Sequence, residues 1–416
     1  MKKKCLTRVL AMGILIFVAV AFMVPSATAG DEIVFGVIEP LSGTFKDIGD
    51  RYVNAVKFAI EQINAEGGLL GKKVVGIYED DGLKPAIATR KAKKLILKDG
   101  AKFIMTGTGS HITLAMAKVA KKYKVINVSY GTEAASITGS RFNRYTFRAC
   151  MNTDQHSAVL VQYIVDNYPE LKKYYIICQD YSFGREAAEG FRKKFEQIKP
   201  KGARIVGEIF HPIGTKDFAP YISAIMASGA EVVLSGNWGQ DLQLLMKHGA
   251  SLGWKVKLAD YFLADPVHIK AVGGTPAIGN IGGDFYMIST DTPQNKAFLK
   301  KWEAKFKDAP FEYKWPTGAM GRAYWAVRFL AAAIEKAGTT DVEKVINAWE
   351  GMEIEAAWGK AKMRACDHQM IGPGVAAEVV PKTRFYADIP YMGTPKIIPA
   401  VQITTPPGKT GNPRCK

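Results

Sequence analysis

The sequence of 416 residues predicts an α/β fold with two doubly wound, parallel-sheet lobes. Three observations support this prediction. Short apolar runs without polar alternation, such as residues 33–38, indicate strands that are buried on both faces. Most of these runs are followed by a segment with apolar residues at helical spacing. The whole alternation occurs twice along the chain.

The first series of elements covers the chain up to Cys150. The pattern predicts strands at 33–38, 74–78, 103–105 and 125–128, and helices at 53–63, 85–98 and 112–122. Glycines follow the first two helices, at 67–68 and 100, as is typical of helix ends.

The second series starts after Cys150 and repeats this plan. The pattern predicts strands at 174–178, 205–210, 231–234 and 256–259, and helices after Gly184, at 218–228 and at 241–252. The C-terminal third adds a predicted strand at 281–288 and predicted helices at 298–306, 319–336 and 342–349.

The first thirty residues predict a secretory signal peptide. Four basic residues precede an apolar run from Val9 to Val24, and small residues at 26–29 then provide a cleavage site near Ala29 or Gly30. The run is shorter than the roughly 20 residues that a transmembrane helix needs. We therefore expect an exported, periplasmic chain.

The strong positive charge does not indicate a nucleic-acid binder. The full chain carries a formal charge of +17, and removal of the leader, with four basic and no acidic residues, lowers it to +13. The basic run at 90–98 lies opposite the apolar side of a predicted amphipathic helix, so it is typical of a solvated face. Because no nucleic-acid-binding motif accompanies these charges, we expect no nucleic-acid partner.

Four cysteines remain after removal of the leader: Cys150, Cys178, Cys366 and Cys415. An exported protein can form disulfides, and four cysteines allow three pairings. A bond between Cys366 and Cys415 would fix the proline-rich C-terminal tail, but free buried thiols throughout are an open alternative.

Polar residues follow two strands of the first predicted sheet, where ligands bind in open parallel sheets. The loop at 106–111 contains Ser110 and His111 and leads directly into a helix, so its glycines and free amides suit a carboxylate. The alternative to ligand binding is that Ser110 only caps this helix. After the next strand, Gly131, Thr132 and Glu133 offer a carbonyl, a hydroxyl and a carboxylate to an ammonium group.

The second predicted sheet offers aromatic side chains at matching positions. Tyr181, Phe183, Trp238 and Tyr261 follow three of its strands, and Asp260 stands beside Tyr261. Aromatic residues in consecutive loops after strands are more typical of a binding pocket than of a hydrophobic core. The six histidines show no metal-binding spacing, and no nucleophile elbow or phosphate-binding loop occurs. We therefore expect a binding protein without cofactor or metal rather than an enzyme.

Several motifs resemble the periplasmic branched-chain amino acid (leucine/isoleucine/valine) binding proteins of ABC importers, which have the type I periplasmic-binding fold. The most specific motif is I-N-x-x-G-G-x-x-G-K at 63–72, and the segments 41–43, 107–110, 180–184 and 236–241 also match. The resemblance implies a monomer with two lobes, crossing hinge segments and a closing cleft that delivers its ligand to a membrane permease.

The resemblance also implies domain limits and roles for residues. It places the signal peptide at 1–30, the N-terminal lobe at 31–150 plus about 285–372, and the C-terminal lobe at 151–284 plus about 373–416. Ser110 corresponds to the residue that binds the ligand carboxylate, and Gly131 with Thr132 or Glu133 to the ammonium site. The pocket aromatics correspond to Tyr181 or Phe183 and Trp238, and Asp260 corresponds to the acidic partner of the ammonium.

Departures from the family pattern concern ligand specificity. Ile48 stands where an aromatic residue is often found, so Phe45 would have to supply that contact. Glu133 replaces a usual threonine, and this extra carboxylate could strengthen ammonium binding or admit an amide, urea or a cation instead. A periplasmic sensor for amides, urea or aromatic acids is the alternative function. The segment 364–369, with Asp367-His368-Gln369, resembles a subset of the family, and a structural link in the second lobe is its simplest explanation.

Overall fold

The computed structural model of the protein describes residues 32–416. The predicted leader at 1–30, with its cleavage site near Ala29, lies outside the described residues. Among the residues that are described, no helix is both long and apolar enough to cross a membrane.

The strands of this part of the chain form three sheets. In chain order they are β1 Glu32–Glu39, β2 Lys73–Asp80, β3 Phe103–Thr106, β4 Ile126–Ser129, β5 Thr146–Arg148, β6 Lys173–Gln179, β7 Arg204–His211, β8 Val232–Ser235, β9 Lys257–Asp260, β10 Ile281–Asp284, β11 Glu353–Ala356, β12 Gly359–Met363, β13 Met370–Ile371, β14 Gly374–Val380, β15 Tyr391–Met392 and β16 Lys396–Ile398.

Helices connect most of these strands. They are α1 Lys46–Ala65, α2 Pro85–Leu97, α3 Ser110–Tyr123, α4 Thr153–Asn167, α5 Ser182–Ile198, α6 Ala219–Ala227, α7 Gly239–Ser251, α8 Pro266–Ala271, α9 Pro293–Phe306, α10 Phe311–Lys314, α11 Gly318–Ala337, α12 Val342–Trp349 and α13 Ala400–Ile403.

The first sheet is parallel throughout, with the strand order β2-β1-β3-β4-β5. Its central strands are apolar on both faces because helices cover both faces. Phe35 and Val37 of β1 join the core that contains residues of α1 and α11, whereas Ile38 joins a separate core with residues of α2 and α3. Gly36 lets α2 pack closely on β1, since a Cβ atom there would come within 2.9 Å of the Leu95 side chain, which would have to shift.

The second sheet has the order β15-β14-β10-β9-β8-β6-β7, and β16 also pairs with β14. Strands β6 to β10 are parallel, but β14 runs antiparallel to β10 and to both β15 and β16. The sequence prediction missed these three antiparallel strands, which come from the proline-rich tail. The strand predicted at 281–288 is too long, because the chain leaves the sheet after Asp284.

The chain crosses between the parts of the molecule that contain the two large sheets three times, after β5, after β10 and before β14. The first and third passages contact each other through Arg148 and Gln369. The Arg148 amide donates to the His368 carbonyl at 2.9 Å, and Arg148 Nε donates to Gln369 Oε1 at 2.6 Å. We keep the predicted lobe limits as a proposal, with these passages as the hinge segments. The Asp367-His368-Gln369 motif lies in the third passage, where His368 and Gln369 contact Arg148.

A disulfide joins Cys366 to Cys415, with a Cα–Cα distance of 5.1 Å, while Cys150 and Cys178 are buried free thiols. The bond fixes the last residues of the chain next to the hinge. Arg414 supports this arrangement, since its guanidinium lies 2.8 Å from Glu350, which also contacts His368.

The double variant Cys366→Ser, Cys415→Ser tests the contribution of this bond. We expect the free energy of unfolding to fall by about 2–4 kcal/mol, because the bond spans 49 residues and restricts the unfolded chain. Urea denaturation measures the loss. A reductant should lower the stability of the wild type to that of the variant and leave the variant unchanged; equal stability of both proteins without reductant would contradict the prediction.

Candidate ligand-binding site

A pocket lies where the carboxyl ends of strands from both large sheets face each other. The space between its lining residues measures about 750 Å³, a figure that includes the part open to solvent. The residues that line it are Asp47, Ile48, Arg51, Tyr52, Gly107, Thr108, Gly109, Ser110, Gly131, Thr132, Glu133, Tyr181, Phe183, Trp238, Gly239, Tyr261, Phe262, Ala264, Asp265, His268, Asp284, Gly318, Ala319 and Arg322.

The structure brings most of the predicted site residues to this pocket. Those that line it are Ile48, Ser110, Gly131, Thr132, Glu133, Tyr181, Phe183, Trp238 and Tyr261. The loops after strands of a parallel sheet meet at one edge, so residues far apart in the sequence converge there.

Three predicted residues lie outside the lining. Asp260 is fully buried behind it, where its Oδ1 accepts from the Phe262 amide at 2.8 Å and burial raises the pKa of its carboxyl to about 8. His111 packs its ring edge against Tyr181, and burial lowers the pKa of its imidazole. Phe45 packs on Trp238 with ring centroids 4.6 Å apart, so it supports the pocket wall from outside.

Ser110 is the first residue of α3, and Gly109 occupies the N-cap position with a left-handed φ of 82°. The Ser110 side chain makes no capping hydrogen bond; its Oγ accepts from the Ala134 amide at 3.1 Å. The hydroxyl hydrogen is therefore available for a ligand. The first amides of a helix also lack intrahelical partners, so this corner of the pocket offers several donors to an anion.

Glu39 at the end of β1 supports the loop before Ser110. Its carboxyl accepts from the Gly107 amide at 2.5 Å, from Thr108 Oγ1 at 2.6 Å and from the Tyr130 hydroxyl at 2.6 Å. Burial raises the pKa of Glu39 to about 8, although these three hydrogen bonds act in the opposite direction. Gly107 must be glycine, because a Cβ atom would lie 2.4 Å from the Tyr130 ring.

A buried ionic cluster consists of Glu133, His156, Asp284 and Arg322, and all of its members except His156 line the pocket. Arg322 Nη1 lies 2.6 Å from Asp284 Oδ2 and 3.3 Å from Glu133 Oε1. Glu133 Oε2 lies 2.8 Å from His156 Nδ1. The positive charges of Arg322 and His156 thus offset the two carboxylates. The sequence predicts Glu133 as an extra carboxylate for the ligand, whereas the structure shows it paired.

His156 is held as an imidazolium. Its Nδ1 faces the Glu133 carboxylate and its Nε2 faces the Gly283 carbonyl at 2.7 Å, so both nitrogens meet acceptors and both must donate. Burial disfavours the charge, but the attraction of Glu133 and its hydrogen bond outweigh burial and raise the pKa of His156 above its usual value.

Aromatic side chains form the opposite wall. The indole of Trp238 donates from Nε1 to the Tyr181 hydroxyl at 2.9 Å, and the Tyr261 hydroxyl donates to the Thr153 carbonyl at 2.9 Å. These polar tips have partners inside the wall, so the rings are fixed and offer apolar surface to a ligand.

Contacts between the loops of the two large sheets close the cleft around the pocket. Glu186 of α5 accepts from the Ser136 amide and hydroxyl at 2.9 and 2.7 Å, and Phe45 packs on Trp238. The structure therefore describes a closed form.

Sequence reasoning missed two arginines and three acids of the lining: Arg51, Arg322, Asp47, Asp265 and Asp284. Asp47 and Arg51 stand four residues apart on α1, which places them on one helix face, and this spacing was the available signal. Arg322 lies inside α11, and nothing in its local sequence distinguishes it from a surface residue.

A family model described as "Periplasmic binding protein" matches residues 32–384. The match covers most of the chain and includes every residue of the pocket lining. The chain therefore belongs to the periplasmic binding protein family.

Relatives with curated names extend this assignment. "Leu/Ile/Val-binding protein homolog 4" of Brucella melitensis biotype 1 is 29% identical over 373 residues, which cover 87% of this chain and 88% of that protein. A leucine-, isoleucine-, valine-, threonine-, and alanine-binding protein of Pseudomonas aeruginosa is 27% identical and covers 82% of this chain and 88% of its own length.

Solved structures agree with the fold. The closed conformation of the leucine-, isoleucine-, valine-, threonine-, and alanine-binding protein from Brucella ovis has a TM-score of 0.81 at 27% identity, covering 90% of this chain and 97% of that one. A solute binding protein of Rhodopseudomonas palustris in complex with p-hydroxybenzoic acid has a TM-score of 0.77 at 23% identity, covering 89% and 98%, and this likeness concerns the fold alone. The comparisons confirm the predicted type I periplasmic-binding fold and the predicted class, a substrate-binding protein of an ABC importer.

The variant His156→Gln tests the charge on the imidazole. Because the pKa of His156 is raised in the folded protein, its stabilising contribution is complete below the unfolded pKa of about 6.5 and is lost as the pH rises through the raised value. We expect the variant to be less stable by about 3–5 kcal/mol near pH 6, since it loses a buried charge partner, and this difference to shrink at higher pH. Urea unfolding at several pH values measures it.

Glu39, whose pKa is raised to about 8, titrates in both proteins without an influence of His156 and cancels in the difference. The partly exposed His248 provides a matched control, His248→Gln, for which we expect no comparable loss. A difference between wild type and His156→Gln that stays constant with pH would show that the imidazole is uncharged.

Proposed function

We propose that the protein captures a small carboxylate ligand, a branched-chain or related amino acid, in the cleft between its lobes. It then delivers this ligand in the periplasm to the permease of an ABC importer. The observation that carries the proposal is the Ser110 corner, where a buried hydroxyl with a free hydrogen and the first amides of α3 converge. One relative is named a leucine-, isoleucine-, valine-, threonine-, and alanine-binding protein and another a Leu/Ile/Val-binding protein homolog, and these names support the ligand class.

The ligand's ammonium group would meet the Glu133 side of the pocket. Gly131, Glu133 and Asp284 line this side, and we propose that the Gly131 carbonyl and the two carboxylates accept hydrogen bonds from the ammonium group. Because Arg322 and His156 offset both carboxylates, we propose that hydrogen bonds rather than net negative charge hold the ammonium.

The same compensated charge favours a second candidate, an aromatic acid without an ammonium group. Such a ligand would place its carboxylate at Ser110 and its ring against Tyr181, Phe183 and Trp238. A periplasmic sensor that recognises aromatic acids, amides or urea would use the same pocket, and its downstream partner would be a receptor instead of a permease.

We propose that the mature protein acts as a monomer, without a cofactor and without catalysis. Ligand binding would stabilise the closed form described above, and the permease would recognise that form. Contacts such as Ser136 with Glu186 and Phe45 with Trp238 would then form upon closure and break upon release.

A titration panel tests the ligand class. We expect at least one of leucine, isoleucine, valine, phenylalanine, benzoate and 4-hydroxybenzoate to bind at micromolar concentration or tighter, while acetamide and urea bind weakly because they lack a carboxylate. Isothermal titration of the mature protein measures the affinities, and mass spectrometry identifies any ligand that co-purifies. If no carboxylate binds more tightly than millimolar, the proposal is wrong.

The variant Ser110→Ala tests the carboxylate site. We expect the carboxylate ligand found in the panel to bind about 1–3 kcal/mol more weakly, since a buried charged acceptor loses its donor. Ser235→Ala is the matched control: Ser235 is also buried and also accepts from a backbone amide, that of Asn237 at 3.1 Å, but it lies outside the pocket lining. Equal affinities of Ser110→Ala and Ser235→Ala would assign Ser110 a structural role alone.

A further inference from the structure

Arg51 lines the pocket from α1, and only 2% of the residue is exposed. Its Nη2 lies 3.1 Å from Asp265 Oδ2 and 3.4 Å from Asp47 Oδ2. Its Nε and Nη1 are also buried, but neither has a hydrogen-bond partner among the described residues. Buried donors of a guanidinium are costly to leave unpaired, so these two N–H groups require an acceptor.

The surrounding charges define what kind of acceptor fits. Asp265 is largely buried, with 11% of its side chain exposed, and offsets the charge of Arg51 at close range. The side chain of Asp47 is 57% exposed, so water screens its carboxylate. The buried pair is therefore close to neutral, and a further negative charge would be repelled by Asp265.

His268 adds a second donor to this part of the lining. Its Nδ1 accepts from Gln243 Nε2 at 3.3 Å, so the proton of the neutral imidazole resides on Nε2. Burial lowers the pKa of His268, which keeps the ring neutral.

This donor group is distinct from the Ser110 corner. Arg51 and His268 contact Asp47, Asp265 and Gln243, whereas the Ser110 side chain contacts Ala134, and among the described residues the two groups share no hydrogen-bond partner. The pocket thus offers hydrogen-bond donors at two separate places.

We propose that Arg51 forms a second polar subsite, which binds an uncharged oxygen acceptor on the part of the ligand that does not contact Ser110. The ligand class is accordingly a carboxylate that also carries a hydroxyl or carboxamide group, rather than one with a purely aliphatic side chain. This inference depends on the proposed function, because it assumes that a carboxylate ligand occupies the pocket.

Pairs of ligands with nearly equal shape test the subsite. Leucine and asparagine form one pair, and 4-methylbenzoate and 4-hydroxybenzoate form another; aspartate and terephthalate supply the negatively charged counterparts. We expect the uncharged polar member of at least one pair to bind about ten- to a hundredfold more tightly than its apolar partner, as measured by isothermal titration. We expect the charged counterpart to bind more weakly than the uncharged polar member.

The variant Arg51→Met should remove this preference, so that the two members of each pair bind with similar affinity. Arg192→Met, at a partly exposed arginine outside the pocket lining, is the matched control and should keep the preference. If Arg51→Met does not fold, the comparison within each pair on the wild type still decides.

The outcomes separate the two proposals. Equal or tighter binding of the apolar members overturns the Arg51 subsite and leaves the proposed function intact. If aspartate or terephthalate binds most tightly, the proposal that Arg51 binds an uncharged acceptor is wrong. Absence of binding by all six compounds, together with failure of the earlier panel, overturns the proposed function and the subsite with it.

Discussion

The buried contact of Arg322 with Asp284 and Glu133 is the interaction on which the arrangement of the pocket depends. Arg322 comes from α11 beside the first sheet, Asp284 from the end of β10 in the second sheet, and Glu133 from the loop after β4. Burial of a charge without a partner is strongly unfavourable, so these groups must meet. Their meeting determines how the strand ends of both large sheets face each other across the pocket.

The same cluster controls what the pocket can recognise. With His156 held as an imidazolium beside Glu133, the two carboxylates are offset, and the pocket has no large excess of negative charge in this region. Under the proposed function, recognition depends on directed hydrogen bonds from the Ser110 corner and from Arg51, and on apolar contact with the aromatic wall. A ligand with one carboxylate, an apolar body and a second polar group would satisfy all three.

The sequence predicted the parts of the site that follow from local pattern. Loops after parallel strands gave Ser110, Glu133, Tyr181 and Trp238, since apolar runs mark the strands and the residues that follow them lie at the sheet edge. Asp260 was selected by the same rule, yet its side chain is buried behind the pocket. The rule predicts the position of a residue at the sheet edge and does not predict the direction of its side chain.

By itself, the sequence determined the alternation of strands and helices, the family and the position of Ser110 at the start of a helix, because each depends on residues close together in the chain. Only the tertiary structure decided that Arg322, Arg51 and Asp284 belong to the pocket, that Glu133 is paired, and that the tail adds antiparallel strands β14 to β16. The physical reason is that ion pairs and antiparallel pairing join residues distant in sequence. Packing of the folded chain brings these partners together, and no local sequence pattern indicates which residues will meet.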